Sequence, residues 1–348
     1  MRNRTKLLAF LSAVAALSAA PMATAQTVDG PRVAWKWGAW GKPRAGTAGT
    51  EFVKKYVEER SGGKFTIIIG WESFGGPKQL LDLLKVGSIE ATQICSSYHP
   101  DKTPAYTALD LPFLPIKDFD AQQHVHDVFH QHPVIRKEFA DWNALPFMST
   151  VLPQYEFIGR TTPAPKKLES FKGMRVRAIG GIGDAMKLLG AVPTSVDATE
   201  VYTALERGTV DAAAFPSTYA HGSYKTYEVG KWFTENMSPG TQACPTLIAV
   251  DAWGRLPDQY KKLVEEAKPL GYEALKKAYA EADEKNLALF KKRGLTFIKY
   301  SPEELAEFRK IGAEPVWEEW VKLREDQGIP GRELLQTILD AAKASPKS

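Results

Sequence analysis

Twice along this chain, strand-like and helix-like segments alternate, and that order constrains the fold more than any single motif. From residue 33, "RVAWKW" reads as a strand, "AGTEFVKKYVEER" as an amphipathic helix and "GGKFTIIIG" as a second strand. "GPKQLLDLLKVG" follows as a helix closed by Gly87, and "IEATQIC" as a third strand. Such βαβαβ order implies a parallel sheet with helices on its faces, whose ligands sit beyond the carboxyl ends of the strands.

The pattern returns after "ALPFMSTVLPQYEFIG". "GMRVRAIG" is a strand, "GIGDAMKLLG" and "ATEVYTALERG" are helices, and "TVDAAAF" is a strand. Within the second helix, Thr199 can cap the start, Leu205 faces core and Gly208 can stop the end. Two sheets of like construction make an α/β protein with two lobes around a cleft. "ACPTLIAV" near 243–250 reads as a return strand, so the chain is expected to cross between lobes more than once. Beyond Pro269, "LGYEALKKAYAEADEKNLALFKKRG" is a long amphipathic helix of roughly 35 Å, enough to lie across both lobes. The tail from "SPEELAEFRKIG" onward reads as further helices.

The first 25 residues are read separately, as a secretory signal peptide. Arg2, Arg4 and Lys6 precede a short apolar run, and "ATA" offers a small-residue cleavage site. Removing that leader, with three basic residues and no acids, lowers the formal net charge from +4 to +1. A nearly neutral chain without Lys/Arg blocks has no electrostatic footprint for nucleic acid or an anionic membrane. Cys95 and Cys244 are the only cysteines, too few for a disulfide scaffold; they pair or stay as buried thiols, and the residues alone leave both open.

"FKGMRVRAIGG" places Arg175 and Arg177 two apart in a strand, where a buried strand would carry Val or Ile. Arg175 lies early, where a solvent-facing position needs no special explanation. Arg177 lies at the carboxyl end, where ligands of such sheets bind. A buried arginine needs an anionic partner, and a protein carboxylate or a ligand can supply it.

In their order along the chain, "SGGKFTIIIG", "GPKQLLDLLKVGSIEAT", "LDLPFLP", "FKGMRVRAIGG" and above all "GAVPTSVDATEVYTALERGTVDAAAF" are similar to the solute-binding proteins of TRAP (tripartite ATP-independent periplasmic) transporters. The resemblance spans essentially everything beyond the leader. It implies a two-lobed periplasmic-binding-protein-like fold with a ligand cleft between lobes and a long helix spanning both. Lobe I would comprise 26–153 plus 243–286, and lobe II 154–242 plus 287–348.

In that family the arginine of the matching strand holds the ligand carboxylate, and Arg177 takes its position, while Arg175 takes that of a usually exposed lysine. A planar guanidinium presents two parallel N–H donors to a carboxylate and orients it. Phe215 falls where the family places a ligand-facing residue after its Val-Asp pair. In lobe I, Ser96, Ser97 and Tyr98 follow the third strand, Trp40 ends the first, and Trp71 and Glu72 end the second. Arg160 falls slightly short of the spacing of the family's second common arginine. With Trp40, Trp71, Tyr98, Phe215 and Tyr219 as walls, the site leans apolar, favouring an aromatic or branched 2-oxo acid over a sugar acid.

The resemblance further implies a monomeric periplasmic protein without a cofactor that delivers a small carboxylate to TRAP membrane subunits. Its return strand tends to lie near the third strand of lobe I, which bears on the cysteines without deciding them. A secreted hydrolase or isomerase acting on an organic acid, or a periplasmic ligand sensor, are the alternatives. G-x-G-x-x-G, G-x-S-x-G, H-E-x-x-H and the P-loop pattern are all missing from the sequence, so the enzyme reading lacks a nucleophile with a base beside it. "HVHDVFHQH" sets His126 and His130 at i, i+4, a spacing that can bind Zn²⁺, but no Cys or His-Glu signature completes a tetrahedral set and no metal site is expected.

Overall fold

The computed structural model describes residues 27–345. The expected signal peptide, residues 1–25, lies outside them.

Eleven strands form two sheets among the described residues. They are β1 (Val33–Ala39), β2 (Phe65–Trp71), β3 (Ala91–Gln93), β4 (Ala144–Ser149), β5 (Tyr155–Gly159) and β6 (Arg175–Arg177), then β7 (Val192–Thr194), β8 (Ala212–Pro216), β9 (Trp232–Thr234), β10 (Pro245–Ala249) and β11 (Thr296–Ile298). The first sheet runs β2-β1-β3-β10-β4 and the second β11-β9-β5-β8-β6-β7. Each is the centre of one lobe.

Neither sheet is purely parallel, which corrects the expectation from βαβαβ order. β1 pairs parallel with β2 and β3, but the return strand β10 enters antiparallel between β3 and β4. In the second sheet β6 pairs parallel with β7 and β8, whereas β5 runs antiparallel to β8 and β9. The cause is the crossing chain. It leaves the first sheet after β4, enters the second through β5, and comes back through β10, and a strand arriving from the other lobe has no crossover helix to set its direction.

Two buried carboxylates hold the returning segment. Glu156 on β5 accepts from the backbone N–H groups of Met237 (3.1 Å) and Ser238 (2.9 Å) and from the Thr234 hydroxyl (2.5 Å). Asp110 accepts from the Ala243 N–H at 2.6 Å and the Ser96 hydroxyl at 2.7 Å. A buried acid is tolerable only with such donors. The same donors orient the chain between β9 and β10, which forms part of the floor between the lobes.

The long helix spans Asp258–Lys292, thirty-five residues and about 52 Å. It begins twelve residues before the expected start and carries Pro269 inside. Proline removes one helical hydrogen bond and normally ends a helix. Here Tyr260, Leu263, Val264 and Ala267, all upstream of Pro269, are buried, and losing that face would cost more than one bond. Further along, the Tyr272 hydroxyl accepts from Ser149 N–H, the Tyr279 hydroxyl donates to Thr150 C=O, and the Asn286 amide donates to Thr218 C=O. Phe290 then packs with Ile158 and Phe233 of the second lobe. The helix therefore lies across both lobes.

Gly208 ends the helix Val201–Arg207 with φ 72°, the left-handed conformation that favours glycine. Thr199 does not cap that helix; it lies in the 3₁₀ turn Ala198–Glu200 that leads into it. The tail starts on the second lobe, where Pro302–Gly312 packs against Gly180–Leu188 behind a Ser301/Glu304 capping box. It ends on the first. Trp317 and Trp320 donate their indole N–H groups to Pro112 C=O (2.7 Å) and the Thr107 hydroxyl (2.8 Å), and Gly331–Ala344 packs on Phe119–His130.

Candidate functional site

Arg177 lies at the carboxyl end of β6, and its side chain is only 1% exposed. β6 is set beside β8 so that Arg177 pairs with Ala213, whose small side chain leaves room for the guanidinium. Nε donates to Val196 C=O (3.0 Å), Nη1 to Ala214 C=O (2.9 Å) and Nη2 to the Tyr98 hydroxyl (2.9 Å). The group lies 4.7 Å from the centroid of the Phe215 ring. Of its five N–H donors these bonds engage three, leaving one hydrogen on each terminal nitrogen. Among the described residues no carboxylate forms an ion pair with it.

Arg175 is the contrast. It is exposed and forms a two-pronged pair with Asp211, Nη2 to Oδ1 at 2.7 Å and Nε to Oδ2 at 3.1 Å. That pair holds the Asp211 carboxyl below the usual range. Of two arginines two residues apart, one has its acid and the other does not.

Around Arg177 closes a small cavity lined from both lobes. The first lobe contributes Trp40, Arg44, Gln93, Cys95 and Tyr98; the second contributes Arg177, Ile179, Ala198, Phe215, Pro216, Tyr219, Ala220 and Tyr224. Leu152, Tyr155, Gln242 and Cys244 of the crossing segments complete it. Trp40 meets Tyr98 edge-on at 6.4 Å, and Phe215 stacks on Tyr224 at 5.2 Å. The walls are aromatic and the polar groups few, the usual make-up of a small-molecule site.

The lobes are closed over this cavity. The Tyr98 hydroxyl accepts from Arg177 and from the backbone N–H of Ala198 (3.1 Å), so its own hydrogen remains to donate. Lys78 pairs with Asp197 across the cleft at 2.8 Å. Backbone meets backbone where the helix Gly180–Leu188 touches the 110–112 turn, and a Cβ at Gly181 would clash with the Asp110 carbonyl oxygen. Only glycine permits that approach.

Five of the residues expected at the site come together here: Arg177, Phe215, Tyr98, Trp40 and Tyr219. The other five do not line the cavity. Ser96 is buried against Asp110 and the Ala243 carbonyl, and Ser97 donates to the Gln242 side-chain oxygen, so both act behind the wall. Glu72 caps Gly41 N–H (3.2 Å) and lines the outer cleft, and Trp71 ends β2 without reaching the cavity. Arg160 lies over Gly208 near Asp211, the position its short spacing dictates. Position at or after a strand end was the signal for four of them and family spacing for Arg160, and neither fixes which way a side chain turns.

Sequence reasoning passed over Arg44, Tyr224 and Gln242, which lie outside the strands and helices, and Gln93 and Tyr155, which end β3 and begin β5 with nothing in the pattern to mark them. It left the cysteines open. Cys95 and Cys244 form a disulfide that joins the end of β3 to the start of β10, and it forms part of the cavity wall.

Beneath Phe215 lies His221, fully buried, with its ring 5.5 Å from the phenylalanine. Nε2 must donate to Glu156 C=O (2.9 Å), so Nδ1 accepts from the Thr226 hydroxyl (2.7 Å) and the ring is neutral. Burial, helped by the Arg177 charge, pulls its pKa from 6.5 down to about 4. With the folded value below the unfolded one, the unfolded chain takes up the proton first as pH falls, and stability is lost between about pH 6.5 and 4. His221→Gln is expected to reduce that loss, by on the order of 2 kcal/mol. Melting temperatures of both proteins from pH 7 to 4.5 check it; parallel curves contradict it. His126 and His130 are buried as well, bonded to Ser149 (2.5 Å) and Tyr106 (2.8 Å), and among the described residues no group of three metal-ligating side chains occurs.

The family model of the bacterial extracellular solute-binding proteins, family 7 (DctP), matches residues 40–323. The chain belongs to that family.

Several known proteins resemble it in sequence or in shape. A monocarboxylate 2-oxoacid-binding periplasmic protein of Nostoc sp. is 26% identical over 293 residues, covering 81% of this chain and 78% of the relative. A marine-metagenome TRAP solute-binding protein specific for aromatic acid ligands, solved with metahydroxyphenylacetate, superposes with a TM-score of 0.81 at 22% identity, covering 91% of this chain and 100% of that one. A TRAP solute-binding protein of Rhodoferax ferrireducens, solved with copurified benzoate, gives 0.80 at 20% identity, covering 90% and 98%. These two structures share the two-lobed α/β fold. No helix among the described residues is long and apolar enough to cross a membrane.

Proposed function

We propose that this family 7 protein captures a small organic acid in the periplasm and delivers it to the membrane subunits of a TRAP transporter. One observation carries the reading: a buried guanidinium lining an aromatic cavity, bonded to neutral oxygens, with donors to spare and no acid among the described residues to neutralise it. An unpaired buried cation is costly, and a ligand carboxylate supplies the missing charge. The relatives that bind a monocarboxylate 2-oxo acid or an aromatic acid fit the same chemistry.

Capture works by hinge closure. In the closed form the ligand carboxylate takes the two remaining Arg177 hydrogens and the Tyr98 hydroxyl hydrogen. Its apolar body lies against Trp40, Phe215 and Tyr219, and both lobes hold it. Differential affinity for the closed form drives closure, because only there do groups of both lobes meet the ligand. The lobe boundaries follow the sheets, with 27–153 and 243–286 on one side and 154–242 and 287–312 on the other, while the tail from 314 returns to the first side. The protein acts as a monomer without a cofactor and returns its ligand unchanged.

A thermal-shift screen of benzoate, phenylacetate, 4-methyl-2-oxopentanoate, galacturonate and the neutral benzamide tests the reading. An acid present at a hundred times its Kd stabilises by about 2.7 kcal/mol. Aromatic or branched 2-oxo acids should raise the melting temperature, with benzamide and galacturonate inert. Equal shifts with benzamide and benzoate, or turnover of the bound acid seen by mass spectrometry, would sink it.

A further inference from the structure

We propose that Arg44, supplied by the first lobe, is a second cationic contact of the cavity and selects acids that carry another hydrogen-bond acceptor away from the carboxylate. The inference rests on the carboxylate-capture reading and narrows its ligand class.

Arg44 lines the same cavity as Arg177 but comes from the loop after β1. Its Nη1 donates to Trp40 C=O (2.7 Å) and Lys42 C=O (3.1 Å), and the guanidinium also hydrogen-bonds the Tyr219 hydroxyl, so three of its five N–H donors are engaged and two remain. The guanidinium lies 5.4 Å from the centroid of Trp40 and 6.0 Å from that of Tyr224, so it is clasped by a ring from each lobe. It also bears on Tyr219, whose phenol burial pushes up and the Arg44 charge partly brings back. Glu51 and Glu72 line the outer clefts that Arg44 shares, yet neither forms an ion pair with it.

Two lines of contacts join the arginines. One runs from Arg177 through the Tyr98 hydroxyl to the Tyr98 and Trp40 rings and on to Arg44. The other runs from Arg177 through the stacked Phe215 and Tyr224 rings to Arg44. The cavity is thus walled by aromatic rings and carries two guanidiniums, one from each lobe, neither paired with a carboxylate among the described residues. A plain monocarboxylate satisfies only one of them. A hydroxyl, oxo or second carboxylate group on the far side of the ligand gives Arg44 an acceptor, and a charge-assisted bond there adds affinity and fixes orientation. Because Arg44 and Arg177 belong to different lobes, such a ligand also bridges them.

Calorimetry with benzoate, 3-hydroxybenzoate and benzene-1,3-dicarboxylate, on wild-type protein, Arg44→Ala and Arg44→Gln, tests the assignment. Wild type should bind at least one of the two substituted acids about tenfold tighter than benzoate. Both variants should lose that preference, the substituted acids weakening by about tenfold relative to benzoate in the same variant. The glutamine variant keeps a side-chain amide to bond the Trp40 carbonyl, and ligand-free melting temperatures show whether each variant is folded. An equal loss for all three acids in folded variants makes Arg44 a general closing contact and overturns the selectivity, as does no change at all. Wild-type protein that binds none of the three overturns this inference, and the carboxylate reading falls with it only if 4-methyl-2-oxopentanoate also fails to bind, whereas loss of all three in Arg177→Ala with no change in either Arg44 variant keeps the carboxylate reading and discards this inference.

Discussion

Arg177→Ala is expected to abolish measurable capture of a carboxylate while leaving the protein folded. A charge-assisted hydrogen bond is worth about 1.5–3 kcal/mol, and a carboxylate left buried without its partner costs several more, so affinity should drop by at least a hundredfold. Arg177→Lys keeps the charge but loses the two-pronged fit and the fixed bonds to Val196 and Ala214, and should weaken binding by roughly tenfold or more. The ligand-free state adds a sharper test. There the guanidinium is a buried cation without an acid, and removing it offsets the lost hydrogen bonds to neutral oxygens. The ligand-free melting temperature of Arg177→Ala should therefore stay level or rise, a trade of stability for function. Near-normal affinity in Arg177→Ala by calorimetry overturns the assignment.

Loss of the Cys95–Cys244 disulfide should give the largest change in stability. The bond closes a loop of 149 residues that contains every strand of the second sheet except β11. Chain-entropy reasoning places the cost of losing such a link at about 2–5 kcal/mol. For a chain of this size that lowers the melting temperature by roughly 3–8 °C. The strands it joins are already hydrogen-bonded neighbours, so the fold should survive with its cavity wall loosened. Reduced protein and the Cys95→Ala/Cys244→Ala double variant should agree, and a melting temperature within a degree of the oxidised protein in both would falsify the estimate.

Much of the architecture was legible because periodicity is a local property. The helix Ala48–Arg60 stands at the residues its pattern marks, and Gly208 stops its helix as a glycine with positive φ does. The return strand was legible as a strand, but its direction was not, since that depends on which lobe the chain comes from. Pro269 misled for a related reason: a local rule against proline gave way to the burial of Tyr260, Leu263 and Val264 in a helix that packs on Ala48–Arg60, distant in sequence. At the site, Arg177 and Phe215 were readable from strand position and from resemblance. Ser96 and Ser97 were readable as neighbours of the cleft but not as residues that brace Asp110 and Gln242 from behind.

By itself the sequence determined the two α/β lobes, the spanning helix, the family resemblance and the identity of the unusual arginine, because each is written in spacing or in a contiguous segment. Tertiary structure alone decided that Arg175 has an acid and Arg177 has none among the described residues, that the two cysteines meet, and that Arg44 and Arg177 line one cavity. Charge pairing and cavity walls depend on groups brought together from distant parts of the chain, and no one-dimensional pattern records which of them finish within a few ångströms of each other.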